Sequence, residues 1–236
     1  MKRFFVTQKL GDNFRLTGAE HHHLANVLRC RVGDKIILVN GDPLDYRYQI
    51  HAIQRDESHL VFVDETKNRV NPTKHLTVYL GLIRLENVSL VVRKLNELGV
   101  SRIIPFLCQR SNLDKHAVDT QKLQAIANQS CKQCCRSIPL QIGEVLSFNE
   151  MLSAVKLFDF AFYADRGEKV QRLQTDALIS AETAALVIGP EGGLSMDENL
   201  ALHNHTDPIT LGRRTLRSET AAIVASTLVL SAMGEI

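Results

Sequence analysis

Two stretches in the last third of the chain carry residues whose types and spacing could do chemistry. In Ile188-Gly189-Pro190-Glu191-Gly192-Gly193-Leu194-Ser195-Met196-Asp197-Glu198 an apolar run meets a glycine-rich turn, and a Ser-x-x-Glu capping box follows. Glycines at such a turn let backbone groups come close to a ligand. The pattern lacks the Gly-Lys-Ser/Thr of a triphosphate loop and the Gly-x-Gly-x-x-Gly of a dinucleotide fold, so neither cradle is supported. The second stretch, Leu211-Gly212-Arg213-Arg214-Thr215-Leu216-Arg217-Ser218-Glu219-Thr220-Ala221-Ala222, is a strand end, a basic turn and a helix start. Each could be an ordinary strand-to-helix turn. Together they suggest a site, because parallel sheets place ligands outside the carboxyl ends of their strands.

Charge points the same way. The net charge is only +2, but residues 1–35 carry seven Lys/Arg against three Asp/Glu, and residues 84–136 carry nine against four. Residues 137–236 carry seven against thirteen. Two basic segments beside an acidic one could form a patch for a polyanion, although a charge run is often just a solvated face. The consecutive His21-His22-His23 cannot converge on one metal ion if they lie on a helix. Cys131-x-x-Cys134 has no second pair to complete a zinc site, and falls on the apolar stripe Leu123, Ile126, Ala127, Cys131, Cys134, which reads as core. The five cysteines have no framework spacing, so free thiols in a reducing, cytoplasmic compartment are expected. The run at residues 221–232 is too short to span a bilayer.

The elements that must position these residues fall into two patterns. Residues 36–39, 46–50 and 59–63 read as short strands with Asn40-Gly41 as a hairpin turn, and Thr17-Gly18-Ala19-Glu20 reads as a capping box opening a helix that ends near Arg31. That describes a small β-barrel with one helix. Past the polar stretch 65–74 the rhythm becomes strands at 76–82, 102–106, 159–163, 185–188 and 208–211. Helical patterns lie at 86–98, 122–135, 149–155, 168–177, 196–204 and 219–233, which together indicate a parallel α/β sheet. The boundary divides the chain into residues 1–72 and 73–236. The last helix has Ala221, Ala222, Ile223, Val224, Ala225, Leu228, Val229, Leu230 and Ala232 over nearly its whole circumference. Such a helix must be covered on all sides, by the rest of the chain or by a second copy.

The two C-terminal stretches resemble the paired motifs of the SPOUT methyltransferases, and within them the RsmE family of 16S rRNA uridine-N3 methyltransferases. The similarity extends to Arg3-Phe4-Phe5, to residues 23–29 with Gly33-Asp34, to Glu97-Leu98-Gly99-Val100, to Pro105 and to Arg110-Ser111. Leu85, Ser89 and the segment 132–139 depart from the family pattern. The resemblance implies a PUA-like N-terminal barrel and a trefoil-knotted catalytic domain that binds S-adenosylmethionine through Ile188, Gly189, Pro190, Gly193, Leu211, Gly212 and Leu216. It further implies homodimers acting on the small ribosomal subunit, with no metal and no membrane. For uridine N3, whose proton must leave, the expected catalytic residues are Arg217, to stabilise the uracil anion, and Glu219 or Glu191, to accept or direct the proton. RNA capture is assigned to Arg3, Arg29, Arg31, Arg84, Arg110, Lys132 and Arg136. A ribose 2′-O methyltransferase of the same superfamily and a non-catalytic ribosome-assembly factor remain the alternatives.

Overall fold

The structure is a computed structural model that describes residues 1–111, 114, 117–165, 173 and 177–236. It divides into two compact units, Met1–Asn71 with Asn128–Pro139, and Pro72–Ala127 with Leu140–Ile236.

The first unit is a five-stranded sheet. Its strands are β1 (Lys2–Phe5), β2 (Asn13–Thr17), β3 (Lys35–Val39), β4 (Leu44–Ile53) and β5 (Glu57–Lys67), in the order β1-β3-β4-β5-β2. Only β1 and β3 pair in parallel; the other ladders are antiparallel. Alternation of side chains puts Phe4, Phe14, Leu16, Ile36, Leu38, Tyr48, Ile50 and Leu60 in one core, with Leu24 supplied by the helical segment. Tyr48 stays fully buried because its hydroxyl donates to Gly11 O at 2.7 Å. The expected capping box does not form. Helix α1 (Gly18–His22) has no side-chain cap at Thr17, and Glu20 instead pairs with Lys132. The helical path then widens into a π-turn (His23–Val27) and stops well short of Arg31. Buried His21 places Nδ1 2.9 Å from Ser58 Oγ.

Residues 128–139 act as a strap across this sheet's own polar groups. Asn68 Nδ2 donates both to Asp45 Oδ1 (2.8 Å) and to Cys135 O (2.9 Å). Asn71 Oδ1 accepts from Ser137 N and Ile138 N, each at 3.0 Å, and Ser137 Oγ donates to Asp42 O at 2.6 Å.

The second unit is an all-parallel sheet of β6 (His75–Gly81), β7 (Arg102–Leu107), β8 (Gln141–Ile142), β9 (Leu146–Ser147), β10 (Phe160–Asp165), β11 (Thr183–Ile188) and β12 (Asp207–Thr210). The order is β12-β10-β11-β6-β7-β8, with β9 also on β7. β11 lies inside the sheet and reads as a continuous apolar run because both its faces are covered. Ala184, Leu186 and Ile188 join one core, and Ala185 and Val187 join the other. On the first face lie α2 (Leu85–Leu98) and α6 (Ser218–Ala232). Val88, Val91, Val92 and Leu95 form the buried stripe of α2, which ends at Gly99 in the left-handed region (φ +102°). On the second face lie α4 (Phe148–Ala154) and α5 (Met196–His203), each opened by a complete Ser-x-x-Glu capping box, Ser147–Glu150 and Ser195–Glu198. Helix α3 (Thr120–Cys134) ends within the strap of the first unit. The helix expected at 168–177 lies almost wholly outside the described residues. Two-residue β8 and β9 were not expected, being too short to show a period.

Candidate active site

In the second unit the chain runs outward from β6 to β7 and β8, then returns to β10 and β11, so strand order reverses between β6 and β11. Open parallel sheets bind ligands outside the carboxyl ends of their strands at such a reversal. There the loop after β6 and the glycine-rich turn after β11 touch. A Cβ on Gly81 would stand 2.5 Å from Pro190 Cδ and 2.6 Å from Pro190 N, so only glycine fits. Glu191 closes the same contact from its side, its Oε1 accepting from Arg84 N at 3.1 Å. The loop after β7 joins through Arg110, whose Nη1 donates to Gly192 O at 3.2 Å. Glu198 caps its own helix and also accepts from Gln109 N at 2.7 Å. Three loops are thereby knitted into one rim.

The turn after β12 carries the second motif. Gly212 has φ +105°, Gly193 has φ +69°, and at both the place of a side chain is open space. Ile188 is buried at the end of β11, while Leu211 and Leu216 are half-buried. Arg217 precedes α6 with its side chain 85% exposed, whereas Glu219 in the first turn is 8% exposed. Glu219 Oε1 lies 4.0 Å from Arg217 Nη1, and Oε2 is buried with no hydrogen-bond partner among the described residues. A buried carboxylate oxygen left unsatisfied carries a desolvation cost of several kcal/mol unless a ligand or a proton meets it. The glycines leave main-chain N–H and C=O groups open to a ligand, and the apolar residues at the strand ends and the Glu219 carboxylate offer it packing and charge.

Of the expected catalytic residues, Arg217 and Glu219 are thus side by side, and Glu191 is engaged in holding the rim. The basic candidates divide. Arg29 (φ +48°), Arg31, Arg84, Arg110 and Arg217 are exposed. Arg3, Lys132 and Arg136, also expected to face RNA, are used inside the fold. Arg3 makes a bidentate pair with Asp45, 2.8 Å on one arm, Lys132 pairs with Glu20, and Arg136 is 2% exposed with Nε donating to Ile138 O at 3.0 Å. Sequence showed their charge but not these partners. Gly81 was also missed, although a glycine ending an apolar strand was its signal. A separate cleft of about 500 Å3 opens between the starts of α4 and α5, lined by Gln109, Phe148, Asp197 and Glu198 among others. None of the expected catalytic or donor-binding residues lines it. Among the described residues no group of His, Cys, Asp and Glu is placed to hold a metal ion, and no helix is long and apolar enough to cross a membrane.

Comparison with known proteins bears on the family and the fold. Residues 69–230 match the family model of an RNA methyltransferase domain, and residues 16–63 that of an RNA methyltransferase PUA domain. The chain is 30% identical over 245 residues to the ribosomal RNA small subunit methyltransferase E of Bacillus subtilis, covering 95% of this chain and 94% of that one. It is 27% identical over 230 residues to the protein of that name from Rickettsia conorii, covering 94% and 92%. The fold matches the crystal structure of a ribosomal RNA small subunit methyltransferase E from Neisseria gonorrhoeae bound to S-adenosyl methionine, with a TM-score of 0.86 at 22% identity over 98% and 97% of the two chains. With a family model covering most of its length and a relative at this identity end to end, the chain belongs to the RNA methyltransferase family.

Proposed function

We propose that this protein transfers a methyl group from S-adenosylmethionine to N3 of a uridine in 16S rRNA of the small ribosomal subunit, in the cytoplasm. The observation that carries the reading is the buried Glu219 carboxylate, with one oxygen lacking a hydrogen-bond partner among the described residues, beside the exposed Arg217 past the carboxyl end of β12. Bound there, S-adenosylmethionine supplies an electrophilic methyl group. Ile188, Gly189, Pro190, Gly193, Leu211, Gly212 and Leu216 would hold it, chiefly through backbone groups. Uridine N3 is protonated at neutral pH, with an acidity close to the tyrosine value of about 10. Arg217 stabilises the negative charge that develops on the uracil, and Glu219 takes the N3 proton or orients the group that does. Glu191 keeps the rim closed through Arg84 N.

Residues 1–72 serve RNA capture and residues 73–236 catalysis, in a trefoil-knotted arrangement. Exposed Arg29, Arg31, Arg84 and Arg110 contact phosphate. Replacing any one should weaken RNA binding and lower the slope of log affinity against log salt by about one; an unchanged slope removes that residue from the interface. The active unit is a homodimer. On α6, Ala222, Ala225, Val229 and Leu230 are covered within the chain, whereas Val224 is half-buried and Leu228 is 42% exposed one turn on. A charged residue at Val224 or Leu228 should yield a folded monomer without activity in sedimentation and turnover assays, and a fully active monomer refutes the pairing.

The deciding experiment is methylation of small subunits from a strain lacking the enzyme, with nucleoside mass spectrometry of the product. Base-methylated uridine at a single site is expected. A 2′-O-methyl nucleoside would point to sugar chemistry instead, and no calorimetric binding of S-adenosylmethionine would point to an assembly factor.

A further inference from the structure

The end of α3 gathers three cysteines and an arginine that the methyl-transfer site does not use. Cys131 is fully buried, Cys134 is half-buried one turn later, and exposed Cys135 follows the helix in the left-handed region at φ +65°. Arg136, 2% exposed, is a cation taken out of water, and its charge acts on the Cys134 sulfur. Buried cations demand such partners. The Cys134 sulfur lies 4.0 Å from the carbonyl oxygen of Cys131, one turn back on the same helix. Residues three apart on a helix stand about 5–6 Å apart at Cβ, so closing the extra ångström or so to a disulfide takes only a small movement of the last turn.

We propose that Cys134 and Cys131 form a peroxide-reactive thiol pair, with Arg136 holding Cys134 as the attacking thiolate and Cys131 resolving it. The Cys134 thiolate attacks a peroxide oxygen. An S–O bond forms, the O–O bond breaks, and the leaving hydroxide or alkoxide takes a proton; sulfur loses two electrons to the peroxide. The Cys131 sulfur then displaces the sulfenic oxygen, forming S–S as S–O breaks, and water leaves with the thiol proton. A reducing thiol restores the pair by exchange. Access fits this order, since solvent reaches Cys134 and not Cys131. The hydrogen bond from Cys131, helped by Arg136, lowers the Cys134 thiol to about 6, the electropositive, partly exposed setting that marks reactive cysteines.

The test uses the full-length reduced protein. Trypsin cuts after Lys132, so a Cys131–Cys134 disulfide joins peptides 123–132 and 133–136 in a non-reducing digest, with loss of two hydrogens. That joined species is expected after hydrogen peroxide, in Cys135→Ser as in the parent, and should vanish with dithiothreitol. In Cys131→Ser, dimedone should instead trap a sulfenic acid at Cys134. At pH 6, iodoacetamide should modify Cys134 roughly tenfold faster than the half-buried Cys108, because Cys134 is held as the reacting thiolate. Arg136→Lys should keep that ratio and Arg136→Gln should reduce it. If neither variant folds, the parent's alkylation ratio and digest still decide. A ratio near one, no joined peptide, or a joined peptide lost in Cys135→Ser overturns the proposal.

Discussion

Replacing Gly81 with alanine tests whether the rim between β6 and β11 holds the donor site in shape. The new Cβ would stand 2.5 Å from Pro190 Cδ, 2.6 Å from Pro190 N and 3.0 Å from Gly189 C. Comfortable carbon–carbon contact begins near 3.5 Å, so the turn after β11 must retreat by about 1 Å. The obstructing atoms are a proline ring and backbone, which cannot rotate aside. Adjacent strands β6 and β11 are hydrogen-bonded from His75–Thr183 to Leu80–Ile188, so the shift must be absorbed by the turn itself. Overpacking of this kind costs about 1–3 kcal/mol, and it also pulls Glu191 away from Arg84 N. The expected result is a loss of about 2 kcal/mol in urea unfolding, with S-adenosylmethionine affinity weakened tenfold or more in calorimetry. Gly212→Ala provides the contrast, since its Cβ meets open space and only its φ of +105° opposes the change. Stability and affinity both unchanged in Gly81→Ala would refute the account of the rim.

Glu219→Gln should leave the fold intact while lowering turnover by about 10²–10⁴-fold; full turnover would exclude the carboxylate from proton handling. Asn96→Leu should destabilise the second unit by about 1–3 kcal/mol, because buried Asn96 accepts from Leu140 N at 2.9 Å and donates to Ala127 O at 3.4 Å; equal denaturation midpoints would contradict this. The Tyr46 hydroxyl donates to Asp42 Oδ2 at 2.6 Å, and that bond, with burial and the Asp42 charge, pushes its phenol up to about 12. Its folded pKa thus exceeds the ordinary 10, so its contribution to stability is whole below pH 10 and is lost between pH 10 and 12. NMR of ring-labelled tyrosine should show Asp42→Ala returning this ionisation toward 10, and an unmoved titration would sink the assignment.

What could be read from sequence depended on how locally each feature is determined. Apart from the two-residue strands β8 and β9, the described strands of the second unit and its helices α2 to α6 were legible because their period and their turns are local. The capping box at Ser195–Glu198 formed as its spacing demands. The same spacing at Thr17–Glu20 failed because Glu20 has a distant partner, Lys132, 112 residues along the chain. Arg3 and Arg136 misled for the same reason, since charge is visible in a sequence and the carboxylate or carbonyl that absorbs it is not. The two motif turns were legible as glycine and arginine runs, but the contact of Gly81 with Pro190 joins strands 109 residues apart in sequence.

The strap gives the first unit a history as well as a shape. Its sheet is complete by Lys67, yet the Asp42 carbonyl, the Asn71 side-chain oxygen and one bond of the Asn68 amide are met only by residues 135–138. On a ribosome adding about 5–20 residues per second, the N-terminal sheet must wait several seconds for the sixty-odd residues between. During that interval the turn after β3 and the segment after β5 carry polar groups without their final partners. The unit that comes first in the chain is therefore finished late, and a fragment ending near residue 72 would keep that unfinished surface permanently.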